Sequence, residues 1–147
     1  MKVAVLMENT AQEGCGLVPE HGLSLYIEYR GKRLLLDGGA SGRFADNAQK
    51  LGVDLADVDL GVLSHGHYDH ADGLRRFFQL NQRAKVYVRP QAGGPYFSMT
   101  EEGPKFIGVH RDIWEGARER LVPVPGPMEL LEGGWLLPDG PKDPAFM

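Results

Sequence analysis

The sequence predicts an α/β fold on a mixed sheet, and three observations predict it. Leu23, Leu25, Ile27 and Tyr29 alternate with Ser24, Tyr26 and Glu28, the period of a half-buried strand, and a short turn at 30–32 sends the chain back through 33–37. Helical and apolar extended stretches then take turns along 43–89, the pattern of strands joined by helical crossovers. Nine of the ten prolines fall after position 89, so regular structure is expected first and loops with short strands afterwards.

Each element has its own signal. Residues 3–7 form a short apolar run and a first strand. Gly38-Gly39 breaks the returning strand. Residues 43–51 read as a helix with Phe44, Ala48 and Leu51 on one face and Gly52 at its end. Leu60-Gly61-Val62-Leu63 is a buried strand running into Ser64-His65. A helix is expected at 74–80 and a strand at 85–89, stopped by Pro90.

Composition sets the bounds. A chain of 147 residues is one ordinary domain or part of one, here taken as a single domain over 1–147 that is possibly incomplete, with a flexible tail at 138–147. Hydrophobic residues at 42% and charged residues at 24% are those of a soluble globular protein, and no apolar run is long enough to span a bilayer. A net charge of −4 without a basic block gives no support to nucleic-acid binding. Cys15 is the single cysteine, so no intrachain disulfide forms; this fits a reducing cytoplasm, and 1–7 is too short to serve as a signal peptide.

The chemistry is concentrated in His65-Gly66-His67-Tyr68-Asp69-His70, three of the five histidines within six residues. The segment directly follows a buried strand, where α/β sheets place their ligands. Histidines at i and i+2 on extended chain point the same way and can grip one ion. Gly66 permits an unusual backbone path. Asp69 and His70 are adjacent and should diverge, which suits a second ion. Imidazole and carboxylate without thiolate suit zinc, iron or manganese. Such an ion brings the pKa of a bound water down towards ~7. Packing alone does not account for the cluster, and cationic imidazoles this close would repel one another without a metal.

Ser64 through His70 resembles the H-x-H-x-D-H signature of the metallo-β-lactamase superfamily. Leu34-Leu35-Leu36-Asp37-Gly38-Gly39 resembles the aspartate–glycine turn that precedes that signature. The 44–59 stretch looks closest to the branch with dihydropterin-type synthases and many uncharacterised hydrolases. The resemblance implies an αββα sandwich, of which this chain would be the first half: a mixed sheet with flanking helices. It implies that His65 and His67 ligate one divalent metal and Asp69 and His70 a second, zinc before iron or manganese. Asp69 would be catalytic, orienting a metal-bound hydroxide towards an ester, phosphoester or amide-type bond of a small-molecule substrate. Asp37 would hold a ligand histidine by its other ring nitrogen.

The family's remaining ligands come from a second half that the chain does not supply. His110 is the better candidate for an extra ligand, ahead of His21. Glu20, Glu101, Glu102 and Asp112 are the spare carboxylates. The chain could be a truncated form, or two copies could associate as a homodimer that covers the missing half. An inert metal-binding or assembly module, and a pterin-branch synthase or lyase, are the alternatives to a hydrolase. Cys15 reads as a plain loop cysteine, Arg75-Arg76 as a solvated helix face, and Trp114 and Trp135 as core or interface.

Overall fold

The computed structural model describes residues 1–137; the tail expected at 138–147 lies outside them. The strands are β1 (Lys2–Met7), β2 (Ser24–Tyr29), β3 (Lys32–Leu36), β4 (Leu60–Val62), β5 (Lys85–Val88), β6 (Phe97–Thr100), β7 (Gly103–Phe106), β8 (Leu121–Pro123), β9 (Met128–Leu131) and β10 (Gly134–Leu136). The helices are α1 (Arg43–Lys50), α2 (Tyr68–Ala71), α3 (Leu74–Leu80) and α4 (Arg111–Trp114). One six-stranded sheet runs in the order β1-β2-β3-β4-β5-β8, with β6–β7 and β9–β10 as separate hairpins. The first three strands are antiparallel and β3, β4, β5 and β8 are parallel. This is the mixed α/β architecture the sequence predicts.

Local chemistry sets the boundaries. The β2–β3 turn puts Arg30 at φ 48° and Gly31 at φ 74°, the left-handed pair that matches the twist of a tight hairpin. Helix α1 closes at Gly52, φ 72°, whose N–H reaches the Gln49 carbonyl. Leu51 departs from expectation. It sits past the last helical turn and is 44% exposed, while the buried stripe of α1 runs through Phe44, Ala45, Asn47 and Ala48.

The helices pack on one face of the sheet. Tyr26, Leu35 and Val86, neighbours across β2 to β5, are buried there with Phe44, Leu74 and Phe77. Two buried amides stitch loops to this core. Asn47 donates to the Leu6 and Val18 carbonyls. Asn81 donates to those of Leu55 and Val58 and accepts from the Arg83 and Ala84 N–H groups. Buried polar groups satisfied in this way stabilise only one arrangement of the loops they join.

The other face carries two apolar rows. Val5, Leu25, Leu36, Val62, Tyr87 and Val122 stand opposite one another from β1 to β8. Val3, Ile27, Leu34 and Leu60 form the second row. None of these ten side chains is buried. Among the described helices, none is long and apolar enough to cross a membrane.

Candidate metal centre

Asp37 leaves the end of β3 at φ 60°, one of two described non-glycine residues with positive φ, and is fully buried. Aspartate tolerates this left-handed conformation better than most side chains. Both its oxygens accept hydrogen bonds. Oδ1 accepts the Ser64 N–H at 2.7 Å. Oδ2 accepts the Ser64 hydroxyl at 2.6 Å and the His70 Nδ1–H at 2.7 Å. The turn is clamped from the helix side too. Gly38 N–H reaches the His70 carbonyl and Gly73 N–H the Gly39 carbonyl. A Cβ on Gly73 would stand 1.7 Å from the Gly38 oxygen, so only glycine fits where α2 meets α3.

These bonds decide which ring nitrogens remain available. The Ser64 hydroxyl spends its proton on Asp37, so its lone pair accepts from His65 Nδ1, 2.9 Å away. A His65 proton on Nδ1 leaves its Nε2 as the lone-pair nitrogen, and His70, held by Nδ1 in the same way, presents Nε2 once that nitrogen gives up its proton. The His65 ring centroid lies 4.1 Å from that of His70 and 4.6 Å from that of His67. His67 takes extended backbone as the cap of α2 and packs edge-on against Tyr96. Gly66 between them abuts the turn Pro90–Gly93: an added Cβ would stand 2.1 Å from the Ala92 carbonyl oxygen.

Among the described residues, the group of three or more whose donor atoms all lie within 4.8 Å of one another is Asp37, His65 and His70. Asp37 belongs to it chiefly as a holder, because three of its four lone-pair sites are taken by hydrogen bonds from Ser64 and His70. Asp69 and His70 do not diverge as expected. Asp69 Oδ2 lies 3.5 Å from His70 Nε2, because both sit on α2, where successive side chains are only about 100° apart. His65, His67 and His70 thus lie together, with Asp69 beside His70, at the carboxyl ends of the parallel strands β3 and β4, and His67 and Asp69 fall outside the group with donor atoms within 4.8 Å.

The electrostatics separate the histidines. Burial, with the charges of His70 and His67, pushes the His65 pKa down and so favours its neutral ring. Burial also opposes the His70 cation, but the hydrogen bond and charge of Asp37, with the charge of Asp69, outweigh it and raise its pKa. A neutral imidazole with a fixed tautomer, beside a second imidazole oriented by a carboxylate, fits a divalent ion.

Other candidate residues go elsewhere or arrive unannounced. His110 Nδ1 is held by Asp72 Oδ1 at 2.8 Å, and its ring meets Phe106. Asp112 pairs with Arg75. Arg75 also contacts Asp72, so it is tied down rather than free in solvent. Glu101 and Glu102 are exposed between β6 and β7. Glu20 Oε1 accepts the Ser41 hydroxyl, and its Oε2 is buried without a hydrogen-bond partner. Cys15 is exposed. Trp114 packs against the core and Trp135 is exposed. His21, ranked behind His110 from sequence, lies with Nε2 3.2 Å from Asp69 Oδ2. The signal available for it was the glycine at 22, which lets the chain run against the Asp69 backbone.

An uncharacterized protein of Methanocaldococcus jannaschii, MJ0448, is 32% identical over 114 residues, 77% of this chain and 42% of that protein. The 7,8-dihydropterin-6-methyl-4-(beta-D-ribofuranosyl)-aminobenzene-5'-phosphate synthase of the same organism is 28% identical over 99 residues, 61% of this chain and 33% of its own length. The chain therefore spans less than half the length of these relatives. The crystal structure of Tm1679, a metal-dependent hydrolase of the beta-lactamase superfamily, superposes with a TM-score of 0.69 at 28% identity, covering 92% of this chain and 46% of that one. The family model of the metallo-beta-lactamase superfamily matches residues 17–140, and with the Asp37-anchored histidine cluster in place the chain belongs to that superfamily.

Proposed function

We propose that this chain carries the metal-holding part of a hydrolase acting on an ester, phosphoester or amide-type bond of a small molecule. Superfamily membership supports a metal-dependent, hydrolase-type function in general. One observation carries the finer reading: a single buried carboxylate contacts His70 directly and His65 through Ser64, so both rings are held by their Nδ1 sides with Nε2 turned away from it. Histidines with only a structural role have no need of that arrangement.

In this reading His65, His67, Asp69 and His70 hold one or two divalent ions, zinc first. The ion supplies Lewis acidity and makes water acidic enough to attack at neutral pH. Asp37 keeps both histidines in the ligating tautomer, and Asp69 orients the attacking water. The similarity to the dihydropterin-type synthase favours a second reading, in which the same residues serve a synthase.

Metal per chain, measured by elemental analysis on protein purified without chelators, tests the proposal together with hydrolysis of p-nitrophenyl acetate and bis-p-nitrophenyl phosphate. One to two equivalents are expected, with turnover abolished by His67→Ala. Absence of retained metal sinks the metal centre. Retained metal without turnover on either probe sinks the hydrolase and leaves the synthase.

A further inference from the structure

We propose that His21 is a positioning residue: its Nε2 side pairs with Asp69 Oδ2 and so holds the carboxylate that borders the metal centre. This rests on the reading of 65–70 as metal-holding. Three contacts in series carry it. Asn9 Oδ1 accepts the Gly22 N–H at 3.0 Å, which sets the orientation of the Asn9 amide. Its Nδ2 therefore faces His21 Nδ1, 3.3 Å away. An amide nitrogen only donates, so His21 Nδ1 is the acceptor and the ring proton resides on Nε2. That nitrogen lies 3.2 Å from Asp69 Oδ2, within ion-pair distance. Asn9 selects the tautomer, and the tautomer puts the ring proton on the nitrogen nearest Asp69.

The backbone is built to deliver this ring. Gly22, at φ 133°, runs so close to Asp69 that a Cβ would stand 2.1 Å from the Asp69 carbonyl oxygen. Glu20 N–H reaches the Glu8 carbonyl, and the Glu20 carboxylate takes the Ser41 hydroxyl. The chain is pinned on both sides of His21. Yet the imidazole itself is 68% exposed. A contact so open to water contributes little to folding stability, so stability does not explain why both ring nitrogens are engaged. Orienting Asp69 does: with Oδ2 paired to His21, the rotation of the carboxylate is restricted.

The test combines zinc titration with imidazole nitrogen NMR on the full chain. Groups that orient metal ligands typically contribute about 10–100-fold to metal affinity. His21→Ala is expected to weaken zinc by about that factor, and His21→Gln, whose amide can donate from nearly the Nε2 position, to recover most of it. In zinc-free protein, at a pH where imidazoles are neutral, His21 is expected as the Nε2–H tautomer. Asn9→Asp is expected to shift it to Nδ1–H and weaken zinc as well. An Nδ1–H tautomer in the wild type overturns the proposal. So does His21→Ala binding zinc within twofold of the wild type. Failure of the wild type to take up zinc at all defeats the metal-centre reading instead, and the tautomer in the zinc-free chain then decides the His21 contact alone. His21 is exposed, so these variants are expected to keep the wild-type circular dichroism spectrum.

Discussion

The two faces of the six-stranded sheet both carry apolar side chains, but only one is fully covered. On the helix side Tyr26, Leu35 and Val86 lie under Phe44, Leu74 and Phe77, all nearly inaccessible to water. On the opposite side Val3 and Val5 are about half exposed, at 48% and 47%, and none of their row-mates is buried. Hydrophobic patterning does not tell the two apart: the alternation in β2 points to Leu25 and Ile27 as its buried side, yet Ser24 and Tyr26 are the buried residues, and in β3 successive leucines serve both faces. The difference teaches that this sheet is made to be packed on both sides, as strands of doubly covered sheets are. Coverage of only 42% and 33% of the curated relatives' length fits such a half-covered layer.

The comparison can be broken by substitution. Phe77→Ala opens a hole under the covered face and is expected to cost about 3–5 kcal/mol in chemical denaturation. Next comes Asn81→Ala, which leaves the Leu55 and Val58 carbonyls without their donor; about 1–3 kcal/mol is expected from the same measurement. Val3→Lys with Val5→Lys on the bare face should change monomer stability by about 0.5 kcal/mol or less per site. A loss as large as that of Phe77→Ala would show that the bare face is covered after all. The expectation that a second copy covers it makes the same double variant monomeric where the wild type self-associates, and sedimentation velocity decides.

The smallest effect is expected at the strand ends, where the two faces meet the histidine cluster. In the folded chain Asp37 raises the His70 pKa above its ordinary value. The stabilising contribution of that pair in metal-free protein is therefore fully present below the ordinary histidine pKa. It is lost as pH rises through the raised folded value. Asp37→Asn removes it. The Tm difference between wild type and variant is then expected to be larger at acid pH and to shrink as pH rises; a difference that grows with pH contradicts the assignment.

The β2–β3 hairpin, helix α3 and the histidine cluster were legible because each is a local signal: alternation with a turn, a helical period, a dense motif. What was not legible depends on closure across the chain. Asp69 and His21 are brought together only by the docking of the segment before β2 onto α2. The buried amides of Asn47 and Asn81 look like ordinary polar residues until their loops fold over them. Leu51 obeys the helical period but falls one residue past the end of the helix, which periodicity cannot mark. Asp69 and His70 were expected to diverge because the motif was read as extended, whereas its second half is helical.

Gly66 and Gly73 carry a consequence for how the cluster comes into being. Neither position leaves room for a side chain: one is pressed against the Ala92 carbonyl and the other against that of Gly38. The histidines therefore take up their spacing only after a turn some 25 residues downstream and the end of β3 have both closed on them. The cluster is assembled by long-range contacts rather than present in the local chain, so an ion that binds it selects the completed fold. By mass action, an ion present at 100 times its dissociation constant would add about 2.7 kcal/mol to the stability of that fold.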